Sequence, residues 1–290
     1  MTERGIVYVV TGEKFSRLVL QSIRYLRKVE PDEHVTLIID QEQIDVVAAE
    51  ATELNVQLLP LSGPEYRAID KAKGLTQVSH SQLIYLDADT VPIRPFAEDM
   101  YRALKFCEVL GLPGMSLNYE WERTDYSPAL SQYNSGVIGL SGKAAKKLPA
   151  QWEARYKAQE NPYYDQASLR ATILREGYRV GSLPQEFNFR GNGAVKEPRI
   201  LHFTGASRRQ RFFRSEKLRS ELIEAFAQPG LQGFFSGFAP AYSPQDTDNR
   251  EGPGRFGWWL AGAAGLVSSR FYATGRNILR ALARIIGARK

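Results

Sequence analysis

The chain has 290 residues, of which 43% are hydrophobic, 24% charged and 11% aromatic, and its formal net charge is +6. This composition excludes collagenous, coiled-coil and wholly disordered proteins, and the length allows one large α/β domain with an appendage or two small domains. The charge is uneven: Arg255, Arg270, Arg276, Arg280, Arg284, Arg289 and Lys290 lie in a terminal stretch without acids, which leaves residues 1–254 at about −1.

In chain order, Gly5–Val10 predicts a short strand, and Phe15, Leu18, Val19, Ser22, Ile23 and Leu26 recur at helical spacing after it. Val35–Ile39 predicts a second strand that ends in Asp40. A helix over Ile44–Leu54 and an extended run over Val56–Leu59 follow, then a helix around Tyr66–Val78 and a strong strand at Gln82–Leu86. Alternation of this kind predicts an α/β fold built from βαβ units, with a Rossmann-like, mostly parallel sheet covered by helices on both faces. Such sheets bind ligands at the carboxyl ends of their strands. Further on, Leu110–Pro113 and Tyr133–Leu140 read as strands around a polar, aromatic stretch (Asn118–Gln132). Ala144–Gln159 and Asp165–Glu176 read as helices, and Ile200–Phe203 as a short late strand. Gln228–Gly257 is rich in Pro, Gly, Ser, Phe and Asp without a period, and reads as a linker.

No apolar run reaches the roughly 18–20 residues needed to cross a bilayer, and the opening reads as a strand rather than a leader. One cysteine, Cys107, offers no internal disulfide, which fits a reducing, cytoplasmic setting. With three histidines (His34, His80, His202) and one cysteine, a metal must lean on carboxylates. His34 and His80 have no acidic company and are expected on the surface or in loops.

Leu83-Ile84-Tyr85-Leu86-Asp87-Ala88-Asp89-Thr90 delivers two carboxylates, separated by a small residue, where a strand ends. Side chains at i and i+2 of a strand share a face, so Asp87 and Asp89 can converge on one cation, and Ala88 leaves room for a ligand. Hard oxygens of this kind suit Mg²⁺ or Mn²⁺. Two such acids alone could equally serve as a helix cap or turn.

The segment resembles the DxD motif of GT-A-fold glycosyltransferases, most closely the retaining glycogenin/galactosyltransferase-type group, glycosyltransferase family 8. Other pieces similar to that group follow in the same order: Ile6–Thr11, Lys71-Ala-Lys73, Asn134-Ser135-Gly136, Asp165-Gln166, Phe187-Asn188-Phe189-Arg190 and Ile200–Gly205. The resemblance covers roughly residues 5–215. It implies a GT-A nucleotide-sugar-binding domain over 1–227, to which composition and charge patterning add a linker over 228–257 and a basic amphipathic helical tail over 258–290.

The resemblance also implies roles. Asp87, Asp89 and His202 would hold Mn²⁺ (or Mg²⁺), and the ion would hold the diphosphate of a nucleotide-sugar, with Asp87 and Ala88 beside the donor. Val9, Val10 and Thr11 would meet the nucleobase and ribose, uracil being the expected base. Lys71 or Lys73 would reach the sugar or diphosphate. Asn134, Ser135 and Gly136 would face sugar hydroxyls, Asp165 the donor sugar, and Gln166 the anomeric carbon; Asp165 could also be a simple helix cap. After His202 the group often has a phosphate-binding lysine; here Gly205-Ala-Ser-Arg208-Arg209 offers arginines, either of which can replace it through a bidentate fork.

In the tail, Phe271, Ile278, Leu279, Leu282, Ile285 and Ile286 form an apolar stripe, with Arg276, Arg280 and Arg284 on another face. Such a helix reads as an anchor on anionic lipid at the inner face of the membrane, or as a helix docked on protein. The near-neutral body argues against nucleic acid as a partner. The expected activity is metal-dependent, retaining transfer of a sugar from a UDP-sugar to a glycan or lipid-linked hydroxyl. The rivals are a nucleotidyltransferase of the same fold and an inactive scaffold that binds through its tail. Thr11–Phe15 lacks the Gly-rich basic loop that the first rival needs.

Overall fold

The computed structural model describes residues 3–65, 67–114, 131–158, 165–190, 194–195, 197–203 and 233–234. Gly205, Arg208, Arg209 and the whole tail lie outside them, as does most of the expected linker. A seven-stranded sheet organises the chain, with spatial order β3 (Val56–Leu61), β2 (Val35–Asp40), β1 (Arg4–Val10), β4 (Gln82–Leu86), β7 (Tyr133–Ser141), β6 (Val109–Pro113) and β8 (Val180–Ser182). Only β7 runs against its neighbours; β3, β2, β1 and β4 pair in parallel, as do β6 and β8.

Every residue of β1 after Arg4 is buried, as expected of a strand covered on both faces. Alternate side chains serve different cores. Ile6, Tyr8 and Val10 pack with α1 (Glu13–Val29), α2 (Gln41–Glu53) and α4 (Ala97–Ala103). Val7 and Val9 face α3 (Asp70–Leu75), α5 (Gly142–Lys157) and α6 (Asp165–Glu176).

Helix α3 is shorter than the 66–78 periodicity predicts. The Asp70 carboxylate accepts the backbone N–H groups of Glu65 (2.9 Å) and Arg67 (3.1 Å), which fixes a turn where the helix was expected to begin. The helix lies close on β1 because Gly74 has no side chain: a Cβ there would sit 2.6 Å from Val9 Cγ1 and 2.8 Å from Val9 Cγ2. Gly74→Ala is therefore expected to cost about 1–3 kcal/mol through overpacking. Chemical denaturation would read this as a lower midpoint at unchanged slope.

His80 lies in the loop before β4, as expected, but is buried there, and its ring meets that of His34 edge-on, with centroids 5.4 Å apart. Within the expected linker, β11 (Gly233–Phe234) pairs antiparallel with β9 (Ala194–Val195). Among the described residues no helix is long and apolar enough to cross a membrane.

Candidate functional site

Strand β4 ends at Leu86, and Asp87–Asp89 form a tight turn rather than an extension of the strand. Thr90 closes it: its N–H donates to Asp87 O (3.0 Å), and its hydroxyl donates to the same oxygen (2.8 Å). The two carboxylates converge through this turn, not through strand alternation. β5 (Thr90–Pro92) then pairs antiparallel with β10 (Ile200–His202), which places His202 opposite Thr90. Phe203 N–H donates to Asp89 O (2.9 Å), tightening the same junction.

His202 Nε2 consequently lies 3.3 Å from Asp89 Oδ1 and 3.8 Å from Asp87 Oδ2. One ligand atom from each of the three residues falls within 4.8 Å of the others. Gly136 forms the wall of this cradle. A Cβ there would run into the His202 ring, 2.7 Å from Nε2, and would sit 2.8 Å from Asp87 Oδ2. The reversed direction of β7 explains why Gly136 is here: the start of that strand meets the end of β4, and Asp87 N–H donates to Gly136 O (2.8 Å). Two carboxylates and an imidazole around a space kept clear by a glycine fit a divalent cation.

Lys71 settles beside this group. Its ammonium donates to Asp87 Oδ1 (3.1 Å) and Ser135 Oγ (3.1 Å) and forms an ion pair with Asp165 Oδ2 at 3.2 Å. Lys73 instead donates to Gly63 O at the periphery. Burial opposes charge on Lys71, but Asp165 and Asp87 outweigh it and raise its pKa. Burial likewise works against an ionised Asp87, yet Lys71, His202 and Tyr85 prevail and hold its carboxyl below the usual range. The Tyr85 hydroxyl donates to Asp87 Oδ1 (2.5 Å); burial, then the Asp87 charge, push that phenol well up.

Asp165 opens α6 and is held from behind. Trp152, fully buried on α5, donates its indole N–H to Asp165 O (2.9 Å) and to Ser168 Oγ (3.0 Å). The carboxylate is thereby left to pair with Lys71, and its neighbour Gln166 is half-buried. Asn134 is buried, and its side-chain oxygen accepts from Gly136 N–H (3.1 Å) and from the Asn188 amide (2.9 Å). Ala88 is buried between the aspartates. Val9 and Val10 spend their side chains on the two cores, while Thr11 is half-buried at the strand's end.

Three participants escaped the sequence reading. Tyr85 stands two residues before Asp87, and strand periodicity alone could have flagged it. Asp40, at the end of β2, accepts from Gly12 N–H (3.3 Å) at the same rim of the sheet. Asn188 bonds the ring of His202, and nothing but its place in a family-like segment pointed to it.

A parallel-centred sheet with an Asp-x-Asp turn and a histidine at its carboxyl rim is the GT-A fold. Solved structures similar to this chain include galactosyltransferase LgtC in complex with donor and acceptor sugar analogues, at 13% identity and a TM-score of 0.53, covering 77% of this chain and 93% of that one. The apo-form glycosyltransferase GlyE of Streptococcus pneumoniae is also similar, at 14% identity and a TM-score of 0.52, over 80% of this chain and 66% of that one. So is the apo bifunctional glycosyltransferase WbbM, at 12% identity and a TM-score of 0.51, over 70% and 46%. No protein-family model matches the sequence, and no curated protein does.

Proposed function

We propose that the chain is a glycosyltransferase that moves a sugar from a nucleotide-diphosphate sugar, a UDP-sugar, to a hydroxyl acceptor with retention of configuration. The observation that carries this reading is the meeting of Asp87, Asp89 and His202 in a cradle kept open by Gly136, at the rim where α/β sheets take ligands. The likeness in fold to LgtC, solved with donor and acceptor sugar analogues, supports it. Two hard oxygens and one imidazole nitrogen favour Mn²⁺ over Mg²⁺, which prefers a shell of oxygens. When bound, the ion supplies charge neutralisation for the departing diphosphate.

The remaining work falls to the chain. Lys71, kept cationic by its two carboxylates, stands beside the ligand set and can exchange a carboxylate or Ser135 for a phosphate oxygen. Asp165 and Gln166 orient the donor sugar, with Asn134, Ser135 and Gly136 opposite. The end of β1, at Val9, Val10 and Thr11, takes the uridine through its backbone. Gly205 with Arg208 or Arg209 binds the phosphates. Among the described residues the site offers no isolated nucleophile, because Asp165 is engaged by Lys71. A front-face route follows: the bond from the anomeric carbon to the diphosphate breaks, the acceptor oxygen bonds to the same face, and its proton passes to the leaving phosphate oxygen. Positioning and electrostatic stabilisation supply the rate.

Thermal melting against a panel of nucleotide-sugars tests the reading. A UDP-sugar is expected to stabilise the wild-type chain only with Mn²⁺, and Asp89→Ala is expected to lose both that shift and UDP release. Unchanged turnover in Asp89→Ala, or indifference to every nucleotide-sugar, sinks it. We further propose that residues 258–290 hold the enzyme peripherally on anionic membrane, near a lipid-linked or glycan acceptor. Full-length protein is expected to float with anionic liposomes and a 1–254 truncation to stay behind; equal flotation refutes the anchor.

A further inference from the structure

The amide of Asn188 lies between the candidate metal centre and the start of β7, and its side chain is wholly buried. The donors in this network can be assigned from one fixed point. Gly136 N–H can only donate, and it donates to Asn134 Oδ1 (3.1 Å). Asn134 Oδ1 is therefore the acceptor, so the Asn188 atom 2.9 Å from it is the amide nitrogen. The carbonyl of Asn188 must then face His202 Nδ1, 2.8 Å away, and only a protonated Nδ1 can bond to it. Nε2 is left directed at Asp89 Oδ1 and Asp87 Oδ2.

We propose that Asn188 is a positioning residue: it holds His202 in the Nδ1–H form, so that the Nε2 lone pair is presented to a divalent cation between Asp87 and Asp89. Imidazole in water prefers the opposite, Nε2–H form, which would turn a hydrogen toward the ion. Which nitrogen serves the metal is set by the bond the other one makes, and such outer partners orient the ring as well. The backbone supports the arrangement. Gln185–Asn188 form a 3₁₀ turn, Phe189 N–H donates to Ile200 O (2.8 Å), and His202 N–H donates to Phe189 O (2.8 Å). Asn188 and His202 are thus laced together, and Asn134 relays the register of β7 to the ring. Asn134 Oδ1 already accepts two hydrogen bonds, so that oxygen serves this network.

The proposal rests on the metal reading of the site, and its test separates the two. In the full-length, metal-free chain labelled with ¹⁵N-histidine and assigned with His202→Asn, the neutral His202 ring is expected to show Nδ1–H shifts. Asn188→Ala is expected to revert toward Nε2–H and to bind Mn²⁺, followed by electron paramagnetic resonance, about 10–100-fold more weakly. Asn188→Asp keeps an acceptor for the Nδ1 proton and is expected to recover most of that loss, which a purely structural role would not produce. An Nε2–H ring in the wild type overturns the proposal, whatever the variants do. So does Mn²⁺ affinity in Asn188→Ala equal to that of the wild type. Failure of the wild type itself to bind Mn²⁺ removes the metal reading and the purpose assigned to Asn188, and the nitrogen shifts still report whether the contact exists.

Discussion

Gly136→Ala is expected to abolish Mn²⁺ binding and sugar transfer while leaving the sheet intact. The added methyl has nowhere to go: it meets the His202 ring and lies 2.8 Å from Asp87 Oδ2. The backbone at Gly136 cannot retreat, because its carbonyl accepts Asp87 N–H and its own N–H is bound by Asn134. His202 is held from the far side by β10 and Asn188, so accommodation must displace a ligand. Outer-sphere changes at metal sites cost about 10–100-fold in affinity; filling the cradle should exceed that range. Overpacking adds about 1–3 kcal/mol of destabilisation. A Mn²⁺ titration by electron paramagnetic resonance, beside a melting curve in chelator, separates the two effects. Near-normal Mn²⁺ affinity in a folded Gly136→Ala chain contradicts the site as drawn.

Lys71→Met is expected to lower stability most when no metal is present, and to be partly rescued by Mn²⁺. The ammonium faces Asp87 and Asp165 from a setting where Lys71 and Asp165 side chains are only 10% and 6% exposed. Removing one partner of a buried ion pair costs roughly 3–5 kcal/mol, since the charge left behind is uncompensated. For a domain of this size each kcal/mol moves the melting midpoint by about 2–4 °C, so a fall of roughly 10 °C in chelator is expected. A cation at the neighbouring ligands supplies positive charge to Asp87 from its other side, and Mn²⁺ should therefore raise the midpoint of the variant more than that of the wild type. Arginine is a poor substitute because its planar fork does not match three oxygens arranged around a point. Equal Mn²⁺ shifts in variant and wild type would falsify this coupling between Lys71 and the metal position.

Much of this organisation was legible in the sequence because the signals were local and periodic. Asp165–Glu176 appears as read, and β4 carries its apolar run to Leu86. The short elements β5, β8 and α4 were not legible, since three to seven residues give no period to detect. The aspartate pair came from its spacing and His202 from resemblance, whereas their geometry came from the Thr90 turn and the pairing of β5 with β10, neither of which leaves a local signature. The choice between Lys71 and Lys73 was undecidable by spacing. It depended on which side of α3 faces β4, and so on the close approach that Gly74 permits. Tyr85 was within reach of the sequence; Asn188 was not, because its partners lie in other strands.

The ribbon of β5 and β10 also sets when the molecule can become competent. Arg94 and Pro198, which flank it, bond across 104 positions, and Asp87 and Asp89 belong to its early side while His202 belongs to its late one. Joining segments so remote carries a loop-closure cost that local contacts do not share. A nascent polypeptide would therefore display its aspartates long before the imidazole that completes the grip has left the ribosome. A fragment that stops before Ile200 could fold much of the sheet and still hold no cation.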